Sequence, residues 1–288
     1  MTEEENKPPA AAKAPVIRVV DLVKRFEDHT VLSGVNLEVN PGETMVIMGG
    51  SGCGKSTLLR CMIGSAAADE GRVELFAQDL ESLSERDMDD LRKRFGILFQ
   101  SGALFNSMTV GQNVALPLQE HTDLDEDTIE IMVRIKLELV GLRQAVDKMP
   151  SEISGGMKKR AGLARAIALD PEILFYDEPS AGLDPVTSAE IDQLIMDLAG
   201  KLGVTSVVVT HEMDSAFRIA DRMAMLDKGR MLKIGPRAEF AAIRDAGPTG
   251  DDTADLIRQF LRGDSEGPIT RRRLDTNYEE DILEIAER

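Results

Sequence analysis

The chain has 288 residues, 42% of them hydrophobic and 30% charged, with a formal net charge of -17. This is the balance of a globular protein able to bury one large core or two modest ones, and it excludes disorder of the chain as a whole. The acidic excess opposes a broad nucleic-acid surface, which needs a basic face to release counterions, so no nucleic-acid partner is expected.

Residues 1–15, rich in Pro, Ala and Glu, read as a flexible tail without the order of a signal peptide, and folding is expected from Val16. No run of eighteen apolar residues occurs, so no membrane span is expected and the chain should stay in the cytosol. IRVVDLV, TVLSGVNLEV and RVELFA alternate apolar and polar residues as half-exposed antiparallel strands do. TMVIMG, EILFYDE and TSVVVTHE are nearly continuous apolar runs, which fits parallel strands buried on both faces. Helical patterns such as KSTLLRCMIG and SAEIDQLIMDLAGKLG separate them, so the expected fold is α/β with a mainly parallel core sheet and an N-terminal antiparallel β subdomain. The span 87–159 lacks such strands after GILFQ and carries helical periodicity in DTIEIMVRIKLELVGL, which reads as an inserted helical subdomain. The expected main domain therefore spans 16–240, and 241–288 is a helical extension with a charged tail. In that tail NYEEDILEIAER would place Tyr278, Ile282 and Ile285 on one stripe behind an Asn277 cap.

Gly49-Gly50-Ser51-Gly52-Cys53-Gly54-Lys55-Ser56-Thr57 matches G-x-x-x-x-G-K-[ST] between a buried strand and a helix. Its glycines let backbone N–H groups wrap phosphates, Lys55 reaches the β- and γ-phosphates, and the Ser56 hydroxyl suits Mg²⁺. ATP and Mg²⁺ are the expected cofactors. Asp177 and Glu178 end the buried run ILFYDEP, where Asp177 is placed for the metal shell and Glu178 for the attacking water. Cys53 and Cys61, with no second pair and no His cluster, argue against a disulfide framework or a zinc site. SEISGGMKKR puts Ser154-Gly155-Gly156 at a helix N-terminus, which by itself is a Ser cap on a surface helix or an anion site.

The ordered set GGSGCGKST, FQSGAL, SEISGGMKKR, ILFYDEP, SAGLD and VVVTHE, within residues 16–235, resembles the nucleotide-binding subunit of ABC transporters, P-loop NTPases. The resemblance implies that Ser154, Gly155 and Gly156 form the signature loop that meets the γ-phosphate of an ATP held by the other subunit of a head-to-tail homodimer. It further implies that Gln100 touches Mg²⁺ and water and senses the transporter partner, that Asp184 communicates across the dimer, and that His211 contacts the γ-phosphate. Phe26 falls where the family stacks an aromatic on adenine, against the competing reading of a core phenylalanine. His29 and His121 lie in polar surroundings and read as solvated.

The signature departs from the common pattern in having Met157 in place of Gln, which removes that residue's hydrogen bonds. SGGM, together with FQSGALFNSMTVGQNVALPL and IRQFLRGDSEGPI, is similar to the ATPases of Mce-associated lipid transporters, which include the maintenance-of-lipid-asymmetry and solvent-tolerance systems. The implied partners are an integral-membrane permease and an Mce-domain lipid-binding protein, with the chain at the cytoplasmic face of the inner membrane. Phe105, Met108 and Val110 are candidate permease contacts or internal packing, and Arg271-Arg272-Arg273 a headgroup contact or a solvated stretch. A small-solute importer and a soluble ABC ATPase remain as rivals.

Overall fold

The computed structural model describes residues 14–27 and 29–274, with side chains as far as Arg271. The Asn277 cap and the Tyr278, Ile282 and Ile285 stripe lie outside the described residues, as does most of the N-terminal tail.

The chain opens with two long strands, β1 (Ile17–Phe26) and β2 (His29–Val39), then β3 (Thr44–Met48), α1 (Lys55–Met62), β4 (Glu70–Leu75) and β5 (Gln78–Asp79). The middle holds α2 (Glu85–Arg92), β6 (Phe95–Leu98), α3 (Val110–His121), α4 (Glu126–Leu139) and α5 (Gly155–Ala166). The second half of the core follows as β7 (Ile173–Asp177), α6 (Pro185–Leu202), β8 (Thr205–Thr210), α7 (Met213–Ile219) and the hairpin β9 (Arg222–Asp227) and β10 (Arg230–Pro236). Three helices finish the described chain: α8 (Arg237–Asp245), α9 (Asp252–Arg262) and α10 (Pro268–Leu274).

These strands form two sheets. The first is antiparallel in the order β2-β1-β4-β5, and the second runs β10-β9-β3-β8-β7-β6 with every pairing parallel except β10 with β9. Every residue of β3 and β8 is buried, as the unbroken apolar runs require. Period-two alternation then feeds two cores from one sheet. Val46, Met48, Leu174 and Tyr176 pack with the helices α3 to α7 and α9, whereas Met45, Ile47, Ile173 and Phe175 pack with α1 and the antiparallel sheet. Phe95 meets Phe175 edge-on at 5.6 Å on that second side.

The GILFQ strand β6 lies within the 87–159 span yet belongs to the central sheet, paired with β7, so the helices that leave the sheet are α3 and α4. A capping box on Thr109 and Gln112 starts α3, and Asp125 caps α4. Asn113 is fully buried, accepting from the Phe105 N–H (2.8 Å) and donating to the Phe105, Met108 and Thr109 carbonyls. It thereby shapes the loop that follows Gln100. Asp184 caps α6, Pro185 takes its first turn and Gly203 closes it at φ 65°.

Candidate functional site

The C-terminal ends of β3, β7 and β8 bring the chemistry-bearing residues to one edge of the central sheet. A cleft of about 570 Å³ opens there, lined by Gly50, Ser51, Gly52, Gly54, Lys55, Ser56 and Thr57 from the β3–α1 loop, together with Gln100, Glu178 and His211. Val31 and Phe260 complete its wall.

The loop conformation depends on glycine at two places. Gly49 has φ +155° and a Cβ there would overlap the Leu226 carbonyl, while Gly54 has φ +107° and a Cβ there would stand 2.8 Å from Leu32. Gly54 caps α1 without a side-chain bond, so the first N–H groups of α1 face the cleft as anion donors. Lys55 Nζ donates to the carbonyls of Gly49 (2.8 Å) and Gly50 (3.1 Å), which folds the loop around its ammonium.

Ser56 Oγ donates to Asp177 Oδ1 at 3.4 Å, so hydroxyl and carboxylate converge from α1 and β7. Burial and the neighbouring Glu178 raise the Asp177 carboxyl above its usual range. Glu178 sits at φ 49°, a left-handed conformation unusual for a residue with a Cβ. Its Oε2 lies 2.8 Å from His211 Nδ1 and also accepts from the His211 N–H at 3.3 Å. The set combines an anion-binding loop, a hard-oxygen pair for a divalent cation, and a carboxylate and an imidazole able to handle a water proton.

The other expected site residues lie elsewhere. Ser154, Gly155 and Gly156 are not on the cleft wall; Ser154 caps α5 by accepting from the Met157 N–H, with Ser154 and Gly155 exposed and Gly156 pressed against Thr187. Asp184 accepts from the Val186 and Thr187 N–H groups, and those bonds, with the Thr187 hydroxyl first, lower its carboxyl. Cys53 faces an adjoining crevice and its thiol is pushed up by burial. Phe26 is 49% exposed at the end of β1 with Lys24 Nζ 5.3 Å from its ring, so it does not serve as a core residue. Val110 is fully buried and packs internally, whereas Phe105 is half exposed beside Arg165. A groove next to Gln100 is lined by Phe99, Pro117, His121 and Arg165, which places His121 on its wall.

Two residues escaped the motif reading. Phe260 enters the cleft from α9, and Lys159, 5% exposed, donates to the Glu178 (3.2 Å) and Ala181 (2.7 Å) carbonyls. Lys159 lies within SGGMKKR, and its placement on the buried stripe of α5 is the one signal in the sequence that pointed inward.

Comparison with known proteins places this geometry. The chain is 39% identical over 93% of its length to a phospholipid transport ATP-binding protein, MlaF of Haemophilus influenzae, covering 98% of that protein. It is 42% identical over 88% of its length to a probable ribonucleotide transport ATP-binding protein, mkl of Mycobacterium leprae, covering 70% of it. Among solved structures, cbiO1 of Clostridium perfringens, part of an ABC transporter complex, superposes with a TM-score of 0.74 at 31% identity over 80% of this chain and 92% of that one. The dimeric ATP-binding cassette MJ0796 bound to ADP and Pi superposes with a TM-score of 0.71 at 28% identity over 77% and 98%. Residues 32–181 match the family described as ABC transporter, and the chain belongs to that family.

Proposed function

We propose that this chain is the ATP-hydrolysing subunit of a membrane transporter that moves phospholipid or another lipid between membranes of the envelope. The observation that supports an ATPase is the meeting of the Lys55 loop, the Ser56–Asp177 pair and the Glu178–His211 pair in one cleft. The lipid cargo is supported by the nearly full-length match to the phospholipid transport relative.

The N–H groups of the Gly50–Gly54 loop and Lys55 bind the phosphates of ATP, and the half-exposed Phe26 offers a π face to adenine. Among the described residues no group of three or more His, Cys, Asp or Glu is placed to hold a metal. The Ser56 hydroxyl and Asp177 carboxylate, with Gln100 nearby, are instead hard oxygen donors that would hold Mg²⁺ together with the nucleotide. When bound, the ion neutralises charge on the β- and γ-phosphates. Glu178 orients the attacking water and takes its proton, His211 holds Glu178 and approaches the γ-phosphate, and the Ser154 loop of a second copy supplies the missing donors across a homodimer. Asp184 reports between the two sites.

Among the described residues no helix is long and apolar enough to cross a membrane, so the transporter reading requires a permease. The Phe99 groove beside Gln100 receives a helix of that permease and puts the chain at the cytoplasmic face of the inner membrane, with an Mce-domain protein as lipid carrier. The ribonucleotide name of the mycobacterial relative supports a second reading, a polar cargo. Purification of the tagged chain from native membranes, with mass spectrometry of partners and lipids, decides between them. Enriched phospholipid with a permease and an Mce-type protein is expected; a permease with a soluble solute-binding protein, or no membrane partner, contradicts the reading.

A further inference from the structure

Helices α9 and α10 fold back on each other as a clasp. The Gln259 amide, 4% exposed, donates to the Asp264 carbonyl (3.1 Å) and the Thr270 hydroxyl (2.8 Å), and its Oε1 accepts from the Ile269 N–H (2.7 Å). Arg262 pairs with Asp264 at 3.2 Å across the same turn. Gly267, at φ +155°, passes so close that a Cβ would stand 2.5 Å from the Gln259 side chain. Leu256, Ile257 and Leu261 anchor one face of α9 in the core that also holds Met223 and Met225. The clasp is thus a built element with fixed side chains.

With α9 held this way, Phe260 reaches the nucleotide cleft. Val31 and Phe260 are the two apolar side chains on a wall that is otherwise glycine and polar groups. A second crevice of about 390 Å³ shares Gly50, Ser51, Gly52 and Phe260 with the first and is closed by Leu256 and Ile269 of the clasp. Phe260 therefore stands at the boundary of two openings on either side of the phosphate loop. The loop has room there: a Cβ on Gly50 or Gly52 would find nothing within 4 Å.

We propose that the C-terminal clasp is part of the nucleotide site, with Phe260 contacting the bound nucleotide and excluding water beside the Gly50–Gly52 stretch. The proposal rests on the reading of the cleft as the ATP site. It adds a binding residue that lies beyond residues 32–181, the span matched by the family. A bound nucleotide in turn holds the clasp, which ties the extension after residue 240 to the state of the cleft.

The chain contains no tryptophan, so Phe260→Trp places a single indole at this position. Titration of the full-length Phe260→Trp chain with Mg-ADP and Mg-ATP is expected to change its emission saturably. Calorimetry is expected to show about tenfold weaker binding for Phe260→Ala and a change within about twofold for Phe260→Tyr, which keeps the ring. Because Phe260 also packs against the helical core, nucleotide-free Phe260→Ala is expected to melt somewhat earlier than the parent, so affinity and not melting temperature is the readout. An indole silent at saturating nucleotide, or a Phe260→Ala chain that melts earlier yet binds with parental affinity, overturns the proposal. Should Phe260→Ala fail to fold, the Phe260→Trp titration decides alone. A parent chain that binds no nucleotide sinks the reading of the cleft itself, whereas a parent that binds while the indole stays silent sinks only the role of the clasp.

Discussion

Glu178 shows how much a single residue depends on groups distant in sequence. Its left-handed backbone aims the carboxylate at His211, and its carbonyl is held by Lys159, a buried ammonium from α5 that also holds Ala181. Burial lowers the Lys159 pKa, while Glu212 and Glu178 favour its charged form. Lys159→Met removes the donor and keeps the bulk. We expect kcat to fall about tenfold with ATP affinity little changed, because the proposed catalytic carboxylate, Glu178, loses its placement while the Gly50–Lys55 loop is untouched. Equal kcat for both proteins, or a loss confined to thermal stability, would contradict this. Lys55, Ser56, Asp177 and Glu178 were legible in the sequence because their chemistry is packed into consecutive residues at fixed spacing. Lys159 and Phe260 were not, since each acts on groups far along the chain and only folding brings them there.

At the scale of elements, β3, β7 and β8 were legible as unbroken apolar runs, and α6 as the periodic stretch SAEIDQLIMDLAGKLG, which the structure extends back to Pro185 behind an Asp184 cap. The hairpin β9–β10 was not. Its turn is Lys228-Gly229, both at positive φ, and Lys228 lacks the usual Asn or Asp signal of a tight turn. Helix α3 was also obscure, because Pro117 lies inside it and its start depends on the Thr109–Gln112 capping box. Asn113 extends that box into the loop after Gln100, and it makes four bonds to backbone groups from a fully buried position. Asn113→Ala takes the side-chain partner from the Phe105 N–H and the Met108 carbonyl, whereas the Phe105 and Thr109 carbonyls keep the Met108 and Asn113 N–H groups, so denaturant unfolding should show a loss of about 2 kcal/mol. A variant within experimental error of the parent would mean that the loop finds other partners.

At the scale of the whole molecule, one sheet serves two cores, and the two proposed phosphate-contacting loops fall on different sides. The antiparallel sheet and α1 carry the Gly50–Lys55 loop on one side, and α3, α4 and α5 carry the Ser154 loop, the proposed signature, on the other. Ser154 and Gly155 are exposed and away from the cleft, so one copy presents a phosphate-binding loop and a signature loop that do not meet. That arrangement is the physical basis of the homodimer reading. The same separation was legible in the sequence only through the resemblance, because spacing alone does not tell which of two anion sites a loop will face. The central claim is that two chains complete each ATP site. Sedimentation velocity of the Glu178→Gln chain, with and without Mg-ATP, tests it most directly. We expect a monomer without nucleotide, a dimer with Mg-ATP, and loss of that dimer when Ser154→Arg is added in the signature loop. A chain that remains monomeric at saturating Mg-ATP, or a dimer indifferent to Ser154→Arg, would contradict the account.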